Sequence, residues 1–383
     1  GLTRLGHDVY YVEDTGMWPY ALDGGSTGKN FIVADGCANA KYLSEVMQRF
    51  GLADRWAYNC AIDNRWFGLS DIDRCEVIRT AHLLISVSAP VFHPDEYQPI
   101  PHRAFIDSDP VFTQIKLVRG QEDFRAALAA YDVHFSFGES LSERVPVTGH
   151  FWRPTRQPVL LSEWQPLQPT RNVFTTVMNW DSYNKVKYKQ TTYGQKDVEF
   201  MRFLDLPSRV APEHLEVATR FRRHVNVPDS VLSHLRFKKW QVVDPNEVCP
   251  DIDSYRAYIQ SSKAEWTVAK NGYVVGQPGW FSCRSACYLA AGRPVVVQDT
   301  GFASVLPVGE GVLTFRALDE AAEKIRDVAA HYERHCRTAR NIAEEYFDSN
   351  RVLARLVEEA TSPSIVGPQP VTRSDPASSQ PAG

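Results

Sequence analysis

Basic clusters, paired cysteines and long apolar runs are all scarce in this chain, and each scarcity excludes something. Lys and Arg number 42 against 46 Asp and Glu, a formal net charge of −4, and the basic residues form no block. Binding to nucleic-acid phosphates draws on clustered Lys and Arg, so a nucleic-acid partner has no electrostatic support. No stretch approaches the roughly 20 apolar residues of a membrane-spanning helix. No transmembrane segment is therefore expected, and peripheral contact with a membrane surface stays open. The seven cysteines, at 37, 60, 75, 249, 283, 287 and 336, contain no paired CxxC spacing. Neither a zinc site nor a disulfide framework is indicated, and a reducing cytoplasm is the expected compartment. No segment has the charged and apolar regions of a signal peptide.

What is present is the balance of a soluble globular protein, 43% hydrophobic and 23% charged over 383 residues. That length predicts two domains. The opening Gly1-Leu2-Thr3-Arg4-Leu5-Gly6-His7-Asp8 reads as the end of a helix and a turn, with a strand over 6–14. The helix looks begun before Gly1, so residues upstream are expected. A helix follows over 38–52, with apolar residues at helical spacing and a glycine near its end. Short β-rich runs at His82–Val87, Arg103–Ile106 and Val133–Phe137 alternate with helical stretches such as 121–131. Alternation of this kind predicts a mostly parallel sheet with helices on both faces. Proline-rich, non-periodic sequence at 151–172 reads as an interdomain connection. A second α/β series begins with the strand Val173–Met178 and runs through 197–204, 214–224, 239–243, 253–262, 282–291 and 294–298. Helices at 318–346 and 350–360 close it. The tail from Thr361 lacks a core-forming pattern and is expected to be disordered.

The segment from Gly279 to Phe302 is the most informative. It reads as a glycine-bearing loop, a helix of about three turns, a Gly292-Arg293-Pro294 turn and a short apolar strand ending in Gln298-Asp299-Thr300-Gly301. A loop feeding a helix N-terminus is an anion site, because unpaired N–H groups and the helix dipole point at it. Polar residues beyond the carboxyl end of a buried strand lie where open α/β sheets bind ligands. Both ends of this unit thus face one crevice, which suits a nucleotide diphosphate carrying a polar group.

This segment resembles the C-terminal half of GT-B fold glycosyltransferases, in a branch described from bacteria. Leu5–Asp14, Ile106-Asp107-Ser108-Asp109-Pro110, Phe112-Thr113-Gln114, Phe174–Trp180, Tyr193–Phe200 and Ala269–Val274 continue the resemblance over most of residues 1–360. It implies two Rossmann-like domains facing a cleft, an α/β class. The expected boundaries are an acceptor domain at 1–165, a nucleotide-sugar domain at 166–345, a terminal helix at 346–361 and a disordered tail at 362–383. It further implies a sugar transferase using a nucleotide-diphosphate sugar as donor substrate and an unknown acceptor, with no cofactor and no protein-bound metal. A first strand and glycine loop of the N-terminal domain would precede Gly1. The chain departs from the family pattern at Cys287, where many members carry a ribose-binding Glu; a thiol is a poor acceptor for a ribose hydroxyl.

Gly279, Ser282, Arg284 and Ser285 are the expected diphosphate ligands, through close backbone approach, hydroxyl donors and a guanidinium; an ordinary helix cap with a surface Arg is the plainer reading. Lys196 and Lys270 are candidates for neutralising the leaving diphosphate, against the reading of solvated surface lysines. Gln298, Asp299, Thr300 and Gly301 are candidates for the sugar, against an Asx turn. Asp107 and Asp109 could supply a catalytic base, a metal ligand or loop structure alone, and Glu139 a base or an acceptor contact. His134 beside its strand reads as structural. Missing upstream structure, Cys287 and the lack of an assigned base also fit a catalytically degenerate nucleotide- or carbohydrate-binding relative. A sugar-nucleotide epimerase of the same fold is the third reading.

Overall fold

The computed structural model describes residues 1–19, 35–220 and 229–362. The expected tail from 363 onward, and the end of the 214–224 stretch, lie outside these residues.

The N-terminal half carries two sheets. β1 (Tyr11–Glu13) runs parallel to β2 (Trp56–Cys60), which turns back through Asn64 into β3 (Arg65–Gly68). A four-stranded parallel sheet follows in the order β4 (Leu83–Val87), β5 (His102–Asp107), β6 (Val133–Ser136), β7 (Trp152–Pro154). β1 and β4 are thus both edge strands. The hairpin β2–β3 and the helix Phe112–Val118 were not foreseen. The predicted strand over 6–14 is confined to β1, because Gly6 at φ 87 and the residues to Tyr10 form the turn leading into it.

β8 (Val173–Asn179) opens the C-terminal half, followed by the short hairpin β9 (Val186–Tyr188) and β10 (Thr191–Tyr193). The remaining strands are β11 (His214–Arg220), β12 (Gln241–Val243), β13 (Ala264–Thr267), β14 (Val295–Gln298) and β15 (Val312–Phe315). With β8 they make one parallel sheet in the order β12-β11-β8-β13-β14-β15. The order reverses between β8 and β13, and in such sheets the crevice beyond the carboxyl ends at that point takes the ligand.

Strand periodicity builds this half. Trp266 of β13 enters the core formed with Phe174, Phe203 and Phe315, stacking on Phe315 at 5.7 Å. Glu265 and Thr267, one residue either side, face the opposite way. Parallel strands covered on both faces read as continuous apolar runs. Val295-Val296-Val297 illustrates this, with Val296 in that core and its two neighbours in a second one beside Phe281 and Phe347.

The predicted helix over 318–346 is two helices, Leu318–Ala330 and Tyr332–Ile342, broken at His331 (φ −126, ψ 37) and ending in a π-helical turn to Phe347. The last helix, Ser349–Thr361, returns to the N-terminal half, where Leu356 and Ala360 pack against Ala104, Ile106, Val133 and Phe135. Beside this return, Val159 accepts from the N–H of Ser349 at 2.9 Å and donates to the carbonyl of Phe347 at 2.7 Å. The two chain crossings between the halves are therefore bonded to each other.

Candidate active site

A narrow crevice beyond the carboxyl ends of β13 and β14, next to the switch point, is lined by Thr267, Ala269, Ser282, Ser285, Gln298 and Thr300, among others. A wider concavity, lined by Tyr10, Trp56, Asp54, Asp73 and Glu76, lies in the N-terminal half. Its acidic lining is wrong for a diphosphate.

Ser282 begins the helix Cys283–Ala290, and its side chain makes no capping bond. The first bond of that turn runs from the Ala286 N–H to the Ser282 carbonyl at 3.0 Å, so the N–H groups of 283–285 are the unpaired donors of the helix start. The Ser285 hydroxyl is buried without a partner. Lys196 is half-buried and makes no hydrogen bond or ion pair among the described residues. Burial, with the Arg284 and Lys270 charges nearby, pushes its ammonium well below the usual lysine range, and Glu265 opposes the shift. The preceding Gln195 amide is buried with neither its oxygen nor its nitrogen hydrogen-bonded. Unpartnered backbone and side-chain donors converge here with a lysine amine that has no counter-ion at bonding distance, an arrangement suited to an anion.

The other predicted residues hold the crevice in shape with groups already committed to the protein. Arg284 reaches under the sheet, donating to Glu265 at 2.5 Å, Thr267 Oγ1 at 2.9 Å and the Val177 carbonyl at 2.7 Å. Those are the two β13 side chains turned away from Trp266, so a strand alternation dictates where the guanidinium goes. Gln298 donates to Glu199 at 2.5 Å and accepts from the Ala269 N–H at 3.1 Å. Asp299 accepts from Arg316 at 2.5 and 2.8 Å and from the Gly301 N–H at 2.9 Å. Thr300 donates its hydroxyl to the Trp280 carbonyl. The Gly279 N–H donates to the Thr300 carbonyl at 2.9 Å, and a Cβ at Gly279 would fall 2.6 Å from the Ser140 nitrogen. Gly279 is thus a point where the N-terminal half touches this loop.

The three candidate bases are all engaged. Asp107 is fully buried and accepts from Thr113 at 2.7 Å, Gln114 at 3.0 Å, Ser136 at 3.0 Å and the Asp109 N–H at 2.9 Å. Burial raises its carboxyl pKa against these bonds. Asp109 accepts from Lys270 at 2.9 Å, Tyr183 at 2.6 Å and the Tyr273 hydroxyl. Glu139 is paired with Arg156, with burial raising its pKa and the guanidinium opposing it. His134 lies against His150, ring centres 4.5 Å apart and planes tilted by 54°, and is held neutral, its pKa lowered by burial to about 4.

Cys287 is partly buried against the second core, and burial pushes its thiol well up. All seven cysteines are free. Asp327, His331 and His335 lie close enough to hold a metal ion. However, His335 Nδ1 accepts the Gly311 N–H at 3.2 Å, so Nε2 carries the proton, 3.4 Å from Asp327 and without a hydrogen bond, and neither nitrogen offers a lone pair to a metal.

Sequence reasoning missed Gln195, Tyr183, Tyr273 and Glu265. Gln195 and Tyr273 stand inside quoted motifs and carried a polar signal; Tyr183 and Glu265 had none, because only folding brings them to the crevice.

This two-halved architecture is shared with solved GT-B structures. HepE of Anabaena, solved with UDP and glucose, aligns over 91% of this chain and 98% of its own, at 10% identity and a TM-score of 0.53. An alpha-glucosyltransferase solved with UDP-glucose and DNA containing an abasic site aligns over 76% and 83%, at 12% identity and a TM-score of 0.52. No curated protein matches the chain. The chain is a GT-B fold protein. Within it, residues 215–358 match the family model described as glycosyl transferase-like. No helix among the described residues is long and apolar enough to cross a membrane.

Proposed function

We propose that the protein transfers a sugar from a nucleotide-diphosphate sugar, bound in the C-terminal crevice, to an acceptor entering from the N-terminal half. The observation that carries this reading is the unpartnered Lys196 beside the open start of the Cys283–Ala290 helix. As the bond between the sugar C1 and the diphosphate oxygen breaks, negative charge collects on the leaving diphosphate. Fixed donors and cations aimed at that charge stabilise the transition state more than the ground state. Lys196, Lys270, Ser282, Ser285 and the N–H groups of 283–285 supply them. UDP in the HepE and alpha-glucosyltransferase structures supports a nucleotide donor. With two lysines and a helix start at the site, and Asp107 and Asp109 bonded within the protein, donor binding is read as metal-independent and without a cofactor. Free cysteines fit a cytoplasmic protein. The acceptor is open, nucleic acid included, given the DNA in one relative.

The test is release of nucleoside diphosphate from a panel of UDP-, GDP-, TDP- and ADP-sugars, with and without magnesium. Turnover with one donor and no metal supports the proposal. One observation favours a second reading, a binding protein without turnover: every candidate base is bonded to protein donors. Tight nucleotide binding with no turnover across the panel would select it.

A further inference from the structure

We propose that Asp109 is an interdomain latch, holding the two halves closed and fixing Lys270 beside the anion site. Asp109 sits in the loop after β5, in the N-terminal half, yet the three donors to its carboxylate all come from the C-terminal half. Lys270 Nζ lies at 2.9 Å, the Tyr183 hydroxyl at 2.6 Å, and the Tyr273 hydroxyl completes the set. Burial and then the Asp109 charge push both phenols well up, so they stay protonated and donate. The carboxylate is presented rigidly, because its own N–H is tied to the buried Asp107 at 2.9 Å.

The rest of the contact is built for close approach. The Lys270 ammonium lies 5.4, 4.7 and 5.3 Å from the ring centres of Phe112, Tyr183 and Tyr273. A Cβ at Gly272 would meet Phe112 at 2.4 Å, and one at Gly276 would meet Val111 at 2.5 Å. Only glycine at both positions lets the two halves meet here. Val111 itself has φ +75, a costly conformation for a β-branched residue, held by its N–H bond to Gln114 at 2.6 Å. The paired crossings at Val159 and Ser349 leave a short bonded axis about which the halves can turn. Opening the cleft must break all three bonds to Asp109, and the Lys270 ammonium, on the same half as Lys196, then loses the carboxylate that fixes it. Closure and the fixing of Lys270 are one event. This link to the donor rests on the nucleotide-sugar reading, whereas the latch does not.

The experiment is small-angle scattering on the ligand-free and UDP-bound full chain, for wild type, Asp109→Asn and Tyr273→Phe, with melting curves alongside. Removing the charge of this half-buried carboxylate, which accepts three bonds, raises the open population by roughly tenfold or more. The ligand-free Asp109→Asn protein should therefore show a larger radius of gyration than wild type, and UDP should reduce it again. Tyr273→Phe, which keeps the charge pair, should expand less and gives the answer if Asp109→Asn fails to fold. A radius unchanged in both folded variants would overturn the latch. Expansion of Asp109→Asn in a protein that binds no nucleotide would sink the donor reading and leave the latch standing.

Discussion

Lys196→Met is expected to lower kcat for sugar transfer by about a hundredfold, the order lost when one fixed donor to a developing charge is removed. The same variant should melt at the wild-type temperature or above it. Among the described residues the Lys196 side chain makes no hydrogen bond or ion pair, and the repulsion of Arg284 and Lys270 offsets the attraction of Glu265, so its charge adds little to the ligand-free fold. Active sites commonly hold such residues, kept for function against stability. Steady-state kinetics with whichever donor of the panel turns over, together with a melting curve, check both halves of the statement. A variant that loses stability but keeps its turnover would place Lys196 in the fold and outside the chemistry.

The largest stability effect is expected at Glu265. It is fully buried and pairs with Arg284, whose guanidinium is also buried. Removing one member of such a pair strands the other charge, at a cost of about 3–5 kcal/mol. Glu265→Ala should therefore lower the unfolding free energy, read from a urea titration, by that much. The double variant Glu265→Leu, Arg284→Met should recover most of the loss, since buried pairs replaced by apolar groups of similar volume are often close to neutral. A double variant no better than Glu265→Ala would mean that the Arg284 bonds to Val177 and Thr267 carry the stability instead. Ser282 and Ser285 lie on the same short helix as Arg284, so the pair also aims the candidate phosphate donors.

The alternation of apolar runs and helical stretches made the parallel sheets legible, and β14 in particular, where three consecutive valines match a strand buried on both faces. The hairpin β2–β3 was overlooked although Asp63-Asn64 between two aromatic runs is a turn signal; its strands are short and each also fits a loop. The break at His331 left no mark, because the apolar spacing continues through it and tertiary packing decides the bend. At the site, Ser282 and Lys196 stood in motifs whose backbone context was readable. The fate of Arg284 was not, because it depends on which face of β13 carries Glu265 and Thr267. Asp109 was visible as a carboxylate after a strand, the ordinary signature of a base. What pairs it with Lys270, Tyr183 and Tyr273 is contact between the two halves, and no local pattern encodes that.

The most direct test of the central claim is a thermal-shift titration of the full chain with UDP and with the other nucleoside diphosphates, with and without magnesium. A ligand that binds the native state alone stabilises it by about 2.7 kcal/mol at a hundredfold excess over its dissociation constant. The account predicts a saturable rise in melting temperature with one diphosphate, unchanged by magnesium and weakened in Lys196→Met. No rise with any diphosphate, in protein shown to be folded, would contradict it.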